Sequence, residues 1–132
     1  MNWAFMLDTD TVSYAFREEG HVTQRIRRHR PSELCVSAMT VAQLRYGADR
    51  RGSKKLHEFI DQLTNDISVV PFDEGCAAQY GRIANALAQR GIPIGEFDVL
   101  IAAHAMTLDL TLVTNNVKHF NRVDGLKLEN WF

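Results

Sequence analysis

Ala4-Phe5-Met6-Leu7-Asp8-Thr9-Asp10-Thr11 is the stretch that decides the fold: a short unbroken apolar run gives way to an acidic, threonine-rich segment. An apolar run of this length without alternation is the pattern of a strand buried on both faces, and the polar residues after it suit a loop and a helix start. Similar runs recur at Leu34-Cys35-Val36-Ser37, Ile67-Ser68-Val69-Val70 and Leu110-Thr111-Leu112-Val113-Thr114. Between them the spacing turns helical. Leu56, Phe59, Ile60 and Leu63 share one face, as do Tyr80, Ile83, Ala84 and Leu87. Phe97, Leu100, Ile101, Ala105 and Leu108 mark a third helix that opens after Pro93-Ile94-Gly95. Strands alternating with helices predict right-handed crossovers, hence an α/β fold with a parallel sheet covered on both faces.

The 132 residues suit a single domain spanning 1–132, with enough chain to bury a core without disulfides. Hydrophobic residues at 45% and charged residues at 23% argue against disorder, and no apolar run approaches the length of a membrane span. Seven residues before Asp8 leave no room for a cleavable signal segment, so a cytoplasmic protein is expected. Cys35 and Cys76 have no metal-ligand or CxxC spacing and are expected as reduced core residues. The net charge of -1 conceals an asymmetry: residues 1–55 hold ten Lys/Arg against six Asp/Glu, and the remainder five against ten. Arg27, Arg28 and Arg30 lie in the basic half and are candidates for facing a polyanion, with a solvated helix face as the alternative.

In open parallel sheets the site lies beyond the carboxyl ends of the strands. Asp8 follows the first strand there, and Thr114, Asn115 and Asn116 follow a later one, so polar clusters about a hundred residues apart meet at one edge. Asp98 falls in the first turn of the helix leading into that later strand, where the helix dipole also favours an acid. An apolar strand ending in Asp-Thr-Asp-Thr suits the phosphate-transfer site of the haloacid dehalogenases, but the required downstream Lys and further acidic pair are not evident. A receiver domain, with Asp73 after the third strand, lacks its basic residue after a final strand. The remaining chemistry is hydrolytic: carboxylates from different strands hold hard divalent cations that activate water against a phosphodiester.

The chain resembles the PIN-domain ribonucleases, specifically the VapC-type toxins of bacterial toxin–antitoxin pairs. The matching stretches are Met6-Leu7-Asp8-Thr9, Val36-Ser37 with Thr40-Val41-Ala42-Gln43-Leu44-Arg45-Tyr46-Gly47-Ala48, and Pro93-Ile94-Gly95-Glu96-Phe97-Asp98 with Ile101-Ala102-Ala103-His104-Ala105. They continue through Leu112-Val113-Thr114-Asn115-Asn116 and Phe120 to the tail at Gly125-Leu126 and Glu129-Asn130-Trp131. The resemblance implies a three-layer α/β/α PIN-like domain with a central parallel sheet, Mg²⁺ or Mn²⁺ in an acidic pocket, and endonucleolytic RNA cleavage by metal-activated water. It further implies a VapB-type antitoxin as partner and a homodimer. Asp8 and Asp98 match the metal-binding carboxylates, Glu96 is a third candidate ligand, and Asn116 with Asn115 matches the polar corner of the pocket. Thr9 is expected to fix the loop or a water. Tyr14, Phe16 and Tyr46, near the early helices, are the candidates for an apolar groove that receives the antitoxin, with core packing as the alternative.

Two positions depart from the pattern. The motif usually carries Glu where this chain has Gln43, whose amide can touch a metal or hold a water but brings no charge and no base. Thr40-Val41-Ala42-Gln43 also fits a helix capping box, which would make Gln43 structural. His119 stands where relatives often place an acid and is expected at the surface or facing RNA; Asp10 is expected as a helix N-cap. With two acids missing, a catalytically weakened module that mainly binds antitoxin and RNA is the alternative to an active nuclease.

Overall fold

The computed structural model describes residues 2–132. The chain runs through β1 (Phe5–Leu7), α1 (Thr9–Arg17), α2 (Val22–Arg27), a 3-10 turn at Pro31–Glu33, β2 (Leu34–Ser37), α3 (Ala38–Arg51), α4 (Lys54–Asp66) and β3 (Ser68–Val70). It continues through α5 (Glu74–Gln89), α6 (Glu96–Thr107), β4 (Thr111–Val113), α7 (Val117–Phe120) and β5 (Leu128–Glu129). The five strands form one sheet in the order β3-β2-β1-β4-β5, and every pairing is parallel. The first strand therefore sits at the centre, which explains its unbroken apolar character: both faces are covered.

Alternation along the strands divides the core in two. Met6, Cys35 and Leu112 face one way and pack with Ile83 and Leu87 of α5 and Val99, Ile101 and Ala102 of α6. Leu7, Leu34, Val36 and Val113 face the other way and meet Val12 of α1, Leu44 and Ala48 of α3 and Leu56 and Ile60 of α4. Helices thus cover both faces of the sheet, as expected. Met6, Leu7, Leu112 and Val113 are fully buried, and each such side chain contributes on the order of 1.5–3 kcal/mol by leaving water. Cys35 and Cys76 are free and buried. Among the described residues no helix is long and apolar enough to cross a membrane.

Local signals set where the helices begin. Ser37 ends β2 and caps α3, its hydroxyl accepting from the Met39 amide at 3.0 Å. The capping box expected at Thr40–Gln43 is therefore not the helix start: α3 begins three residues earlier than Thr40 would require, leaving Gln43 in the second turn. The Ser37 hydroxyl also lies 2.8 Å from Nδ1 of His104, which reaches it from α6. His104 is fully buried against the Phe72 ring, its Nε2 has no partner, and burial lowers its pKa, with Asp73 partly opposing.

The unfolded chain binds a proton at this imidazole more readily than the folded one, so stability is expected to fall as pH drops below the ordinary histidine value near 6.5. His104→Gln should lack that loss. Urea unfolding of both proteins at neutral and mildly acidic pH tests this, and an identical pH dependence would contradict it.

Candidate active site

The carboxyl ends of β1 and β4 bring together residues a hundred positions apart. The Asp8 amide donates to the Val113 carbonyl at 3.1 Å and the Thr11 hydroxyl to the same carbonyl at 3.0 Å. Asp8 is the N-cap of α1, its Oδ1 accepting from the Thr11 amide at 2.7 Å. Asp10, expected as the cap, stands instead in the first turn and is exposed. The Asp8 carboxyl is 3% exposed, and burial pushes its pKa up to about 6 despite hydrogen bonds from Thr114 and Thr11 that favour the ionised form. The neighbouring Asp10 charge raises it further.

Asp98 reaches the same edge from the first turn of α6. It is half-buried, and burial raises its pKa, while His119 lowers it and the Asp10 charge raises it. Asp10 therefore lies near enough for its charge to act on both Asp8 and Asp98. His119 Nε2 lies 3.2 Å from Asp98 Oδ2. The position that lacks an acid thus supplies the one side-chain hydrogen-bonding partner recorded for Asp98. Gln43 joins this edge through Thr9, whose hydroxyl donates to the amide oxygen in a short bond.

Of the other expected residues, Asn116 borders the site through Thr114, and Glu96 and Asn115 are turned elsewhere. Glu96 is exposed and lies two positions, about 200° around the helix, from Asp98. It lines a shallow hollow with Tyr80, Pro93 and Ile94. Asn116 is exposed at the start of α7, its amide bonded to the Thr114 hydroxyl at 3.0 Å. Asn115 faces away, donating to the Tyr14 hydroxyl at 3.3 Å and accepting from Asn130 at 3.0 Å. Tyr14 packs edge-on against Phe132.

Phe16 meets Phe59 of α4. Phe59 lines a cleft of about 330 Å³ with Leu7, Val12, Ala15, Ile26 and Leu63. Tyr46, on α3, is 68% exposed and lies outside this cleft. Arg27 lines the cleft, and Arg30 precedes β2 at the amino-terminal edge of the sheet, opposite the acidic edge.

Sequence reasoning did not identify the holding role of Thr11 or the His119–Asp98 pair. The spacing of Asp8 and Thr11, an acid three residues before a threonine at a strand–helix junction, was the available signal for the first.

Among the described residues no three His, Cys, Asp or Glu side chains are grouped as a ready metal cage. The donor set nonetheless fits a hard cation. Its oxygens come from Asp8, Asp98, Asp10, Gln43 and Thr9, two of the carboxyls are raised by burial, and no Lys or Arg among the described residues neutralises them. Mg²⁺ commonly uses one or two protein carboxylates and completes its shell with water and substrate phosphate.

Residues 5–126 match the PIN domain family. Over 129 residues the chain is 32% identical to the tRNA(fMet)-specific endonuclease VapC of Salmonella typhimurium, covering 96% of this chain and 97% of that one. It is 36% identical over 133 residues to Ribonuclease VapC2 of Haemophilus influenzae, with the same coverage. The VapBC2 structure from Rickettsia felis, bound to a DNA fragment from its promoter, superposes with a TM-score of 0.89 at 31% identity, covering 98% of this chain and 99% of its match. With the sheet order, the acidic edge and these likenesses in agreement, the chain belongs to the PIN-domain family, among its VapC-type ribonucleases.

Proposed function

We infer that this protein is the toxin of a VapBC-type pair, a divalent-metal-dependent endoribonuclease acting on cytoplasmic RNA and restrained by a VapB-type antitoxin. The observation that carries the reading is the convergence of Asp8, Asp98 and Asp10 at the carboxyl edge of the sheet without a neutralising Lys or Arg. Asp8 and Asp98 would hold the ion, and Asp10 adds charge from outside. When bound, Mg²⁺ or Mn²⁺ supplies Lewis acidity toward the phosphodiester and the attacking water. Thr11 and Thr114 hold the Asp8 carboxylate in one orientation, and His119 holds Asp98 by one oxygen, leaving Oδ1 for the ion or for a proton. Thr9 turns the Gln43 amide oxygen toward itself.

The cleft between α1, α2 and α4 is the surface offered to the antitoxin. Its walls are mainly apolar, with Glu18, Asp66 and Arg27 among the polar residues lining it, suiting the apolar face of an amphipathic segment. Phe16 borders it through Phe59. One assay tests both parts. The purified chain should cleave RNA with added Mg²⁺ and not in excess chelator, and water attack should leave no cyclic phosphate at the ends. Cognate antitoxin should suppress cleavage, and Ala15→Glu, which places a charge in the cleft, should relieve that suppression while leaving cleavage intact. Cleavage in chelator would overturn the metal mechanism; full suppression of the Ala15→Glu protein would move the antitoxin elsewhere.

A further inference from the structure

Beyond Lys55 the chain holds five basic residues against ten acids, yet three of those five line one cavity. Arg82 of α5, Arg90 at its C-terminal cap and Arg122 from the turn after α7 surround a hollow of about 140 Å³ together with Gln79, Met106 and Asp124. Asp124 is the one carboxylate on its wall among the described residues, and it pairs with Arg90 at 3.3 Å.

The guanidinium groups are otherwise held by neutral acceptors. Arg82 donates through Nε and Nη2 to Gln79 Oε1 at 3.2 and 2.9 Å. Arg90 Nη1 donates to the Arg122 carbonyl at 3.2 Å, and Arg122 Nη1 to the Pro93 carbonyl at 3.3 Å. Such bonds orient the forks without cancelling their charge, and most of the five donors on each remain for a ligand. Planar guanidinium forks match the paired oxygens of a phosphate.

The hollow is joined to the acidic edge. The Arg122 amide donates to the His119 carbonyl at 3.3 Å, and His119 in turn pairs with Asp98. Pro93, which accepts from Arg122, lies three residues before the helix that carries Asp98.

We propose that the Arg82–Arg90–Arg122 hollow binds a backbone phosphate of a single-stranded RNA whose scissile bond lies at the Asp8–Asp98 edge. The inference deepens the ribonuclease reading and rests on it. Continuity with the acidic edge favours the phosphodiester chain over an acidic peptide as occupant. By the same criterion Arg27, within the apolar cleft, and Arg30, at the opposite edge of the sheet, are poorly placed to follow the substrate.

The test is fluorescence anisotropy of a labelled single-stranded oligoribonucleotide, in chelator so that none is cut, across a salt series. Arg82→Gln is the first variant, because the bonds recorded for Arg82 go to its own helix and the fold does not depend on them. Arg122→Gln is the second. Each should weaken binding and reduce the steepness of log K against log salt by about 0.7, the value of one lost single-strand phosphate contact. The combined Arg27→Gln, Arg28→Gln and Arg30→Gln protein should change the slope less.

Unchanged slopes for the Arg82 and Arg122 variants, with wild-type protein binding normally, would overturn the inference alone. A larger loss in the Arg27, Arg28 and Arg30 protein with none in the other two would move the RNA to α2. Lost antitoxin affinity with RNA binding intact would assign the hollow to a peptide. Failure of the wild-type chain to bind RNA at all would overturn the ribonuclease reading and this inference with it.

Discussion

Asp8→Asn is expected to abolish RNA cleavage and, in the metal-free protein, to raise stability. The loss of cleavage follows from removing a charge that would hold a hard cation; several kcal/mol of transition-state stabilisation correspond to a fall on the order of 10³-fold. The gain in stability follows from burial. Asp8 has its pKa raised from 3.8 to about 6, so between those values the folded chain binds more protons than the unfolded one. Stability therefore falls as pH rises through that window, and the penalty is complete above about 6. Converted at 1.36 kcal/mol per unit, it amounts to about 3 kcal/mol at most. Asparagine keeps an oxygen for the Thr11 amide and caps a helix as well as aspartate, so the variant should recover much of that sum.

Asp98→Asn should lose cleavage similarly but gain less stability, because Asp98 is only half-buried and already faces His119. Single-turnover cleavage and urea unfolding in chelator, at neutral and mildly acidic pH, measure both effects. Retained activity in either variant would remove that residue from the ion site. Equal stabilities of wild type and Asp8→Asn at neutral pH would contradict the buried-charge account.

Gln43→Glu should act in the opposite direction, strengthening metal binding and cleavage while lowering metal-free stability. A glutamate at this position accepts the Thr9 hydroxyl as the glutamine does, so the local geometry survives. It adds a full charge and a bidentate ligand to an edge where Asp10 already acts on Asp8 and Asp98. Metal affinity should rise about 10-fold or more, comparable with the effect of other changes in the shell around an ion. A second ion should bind where the Gln43 chain is expected to hold one. Without metal, the added like charge should cost roughly 1 kcal/mol. Calorimetric titration with Mg²⁺ and Mn²⁺, alongside single-turnover cleavage, decides the matter. Equal stoichiometry and rate in the two proteins would leave Gln43 as a hydrogen-bonding partner of Thr9 and nothing more.

The strands that frame the site were legible because a doubly covered sheet demands unbroken apolar runs: Leu34–Ser37 was read with its observed bounds, and the other three runs only one or two residues too long. α3 was harder to read. Its buried stripe of Thr40, Leu44 and Ala48 is one residue wide, and the charged residues around it mask the period. β5 spans two residues, too few for any pattern. At the site, Asp8 and Asp98 could be read because each follows a recognisable strand or opens a recognisable helix. The pairing of His119 with Asp98 could not, since it depends on where the short α7 places its side chains. Arg82, Arg90 and Arg122 are separated by up to forty positions and meet only through the packing of α5 against the turn after α7.

Placing the first strand at the centre of the sheet also governs when the acidic edge is completed during folding. β1 pairs on one side with β2 and on the other with β4, Leu7 lying opposite Val113 more than a hundred positions later. Contacts of such sequence separation form late, because the closure entropy of the intervening chain must be met first. The Asp8 amide, the Thr11 hydroxyl and Thr114 come together only when β4 docks. A chain in which β4 has not yet docked therefore carries every residue of α1 and α3 in an incomplete edge. The acidic edge is therefore among the last features of the fold to be completed.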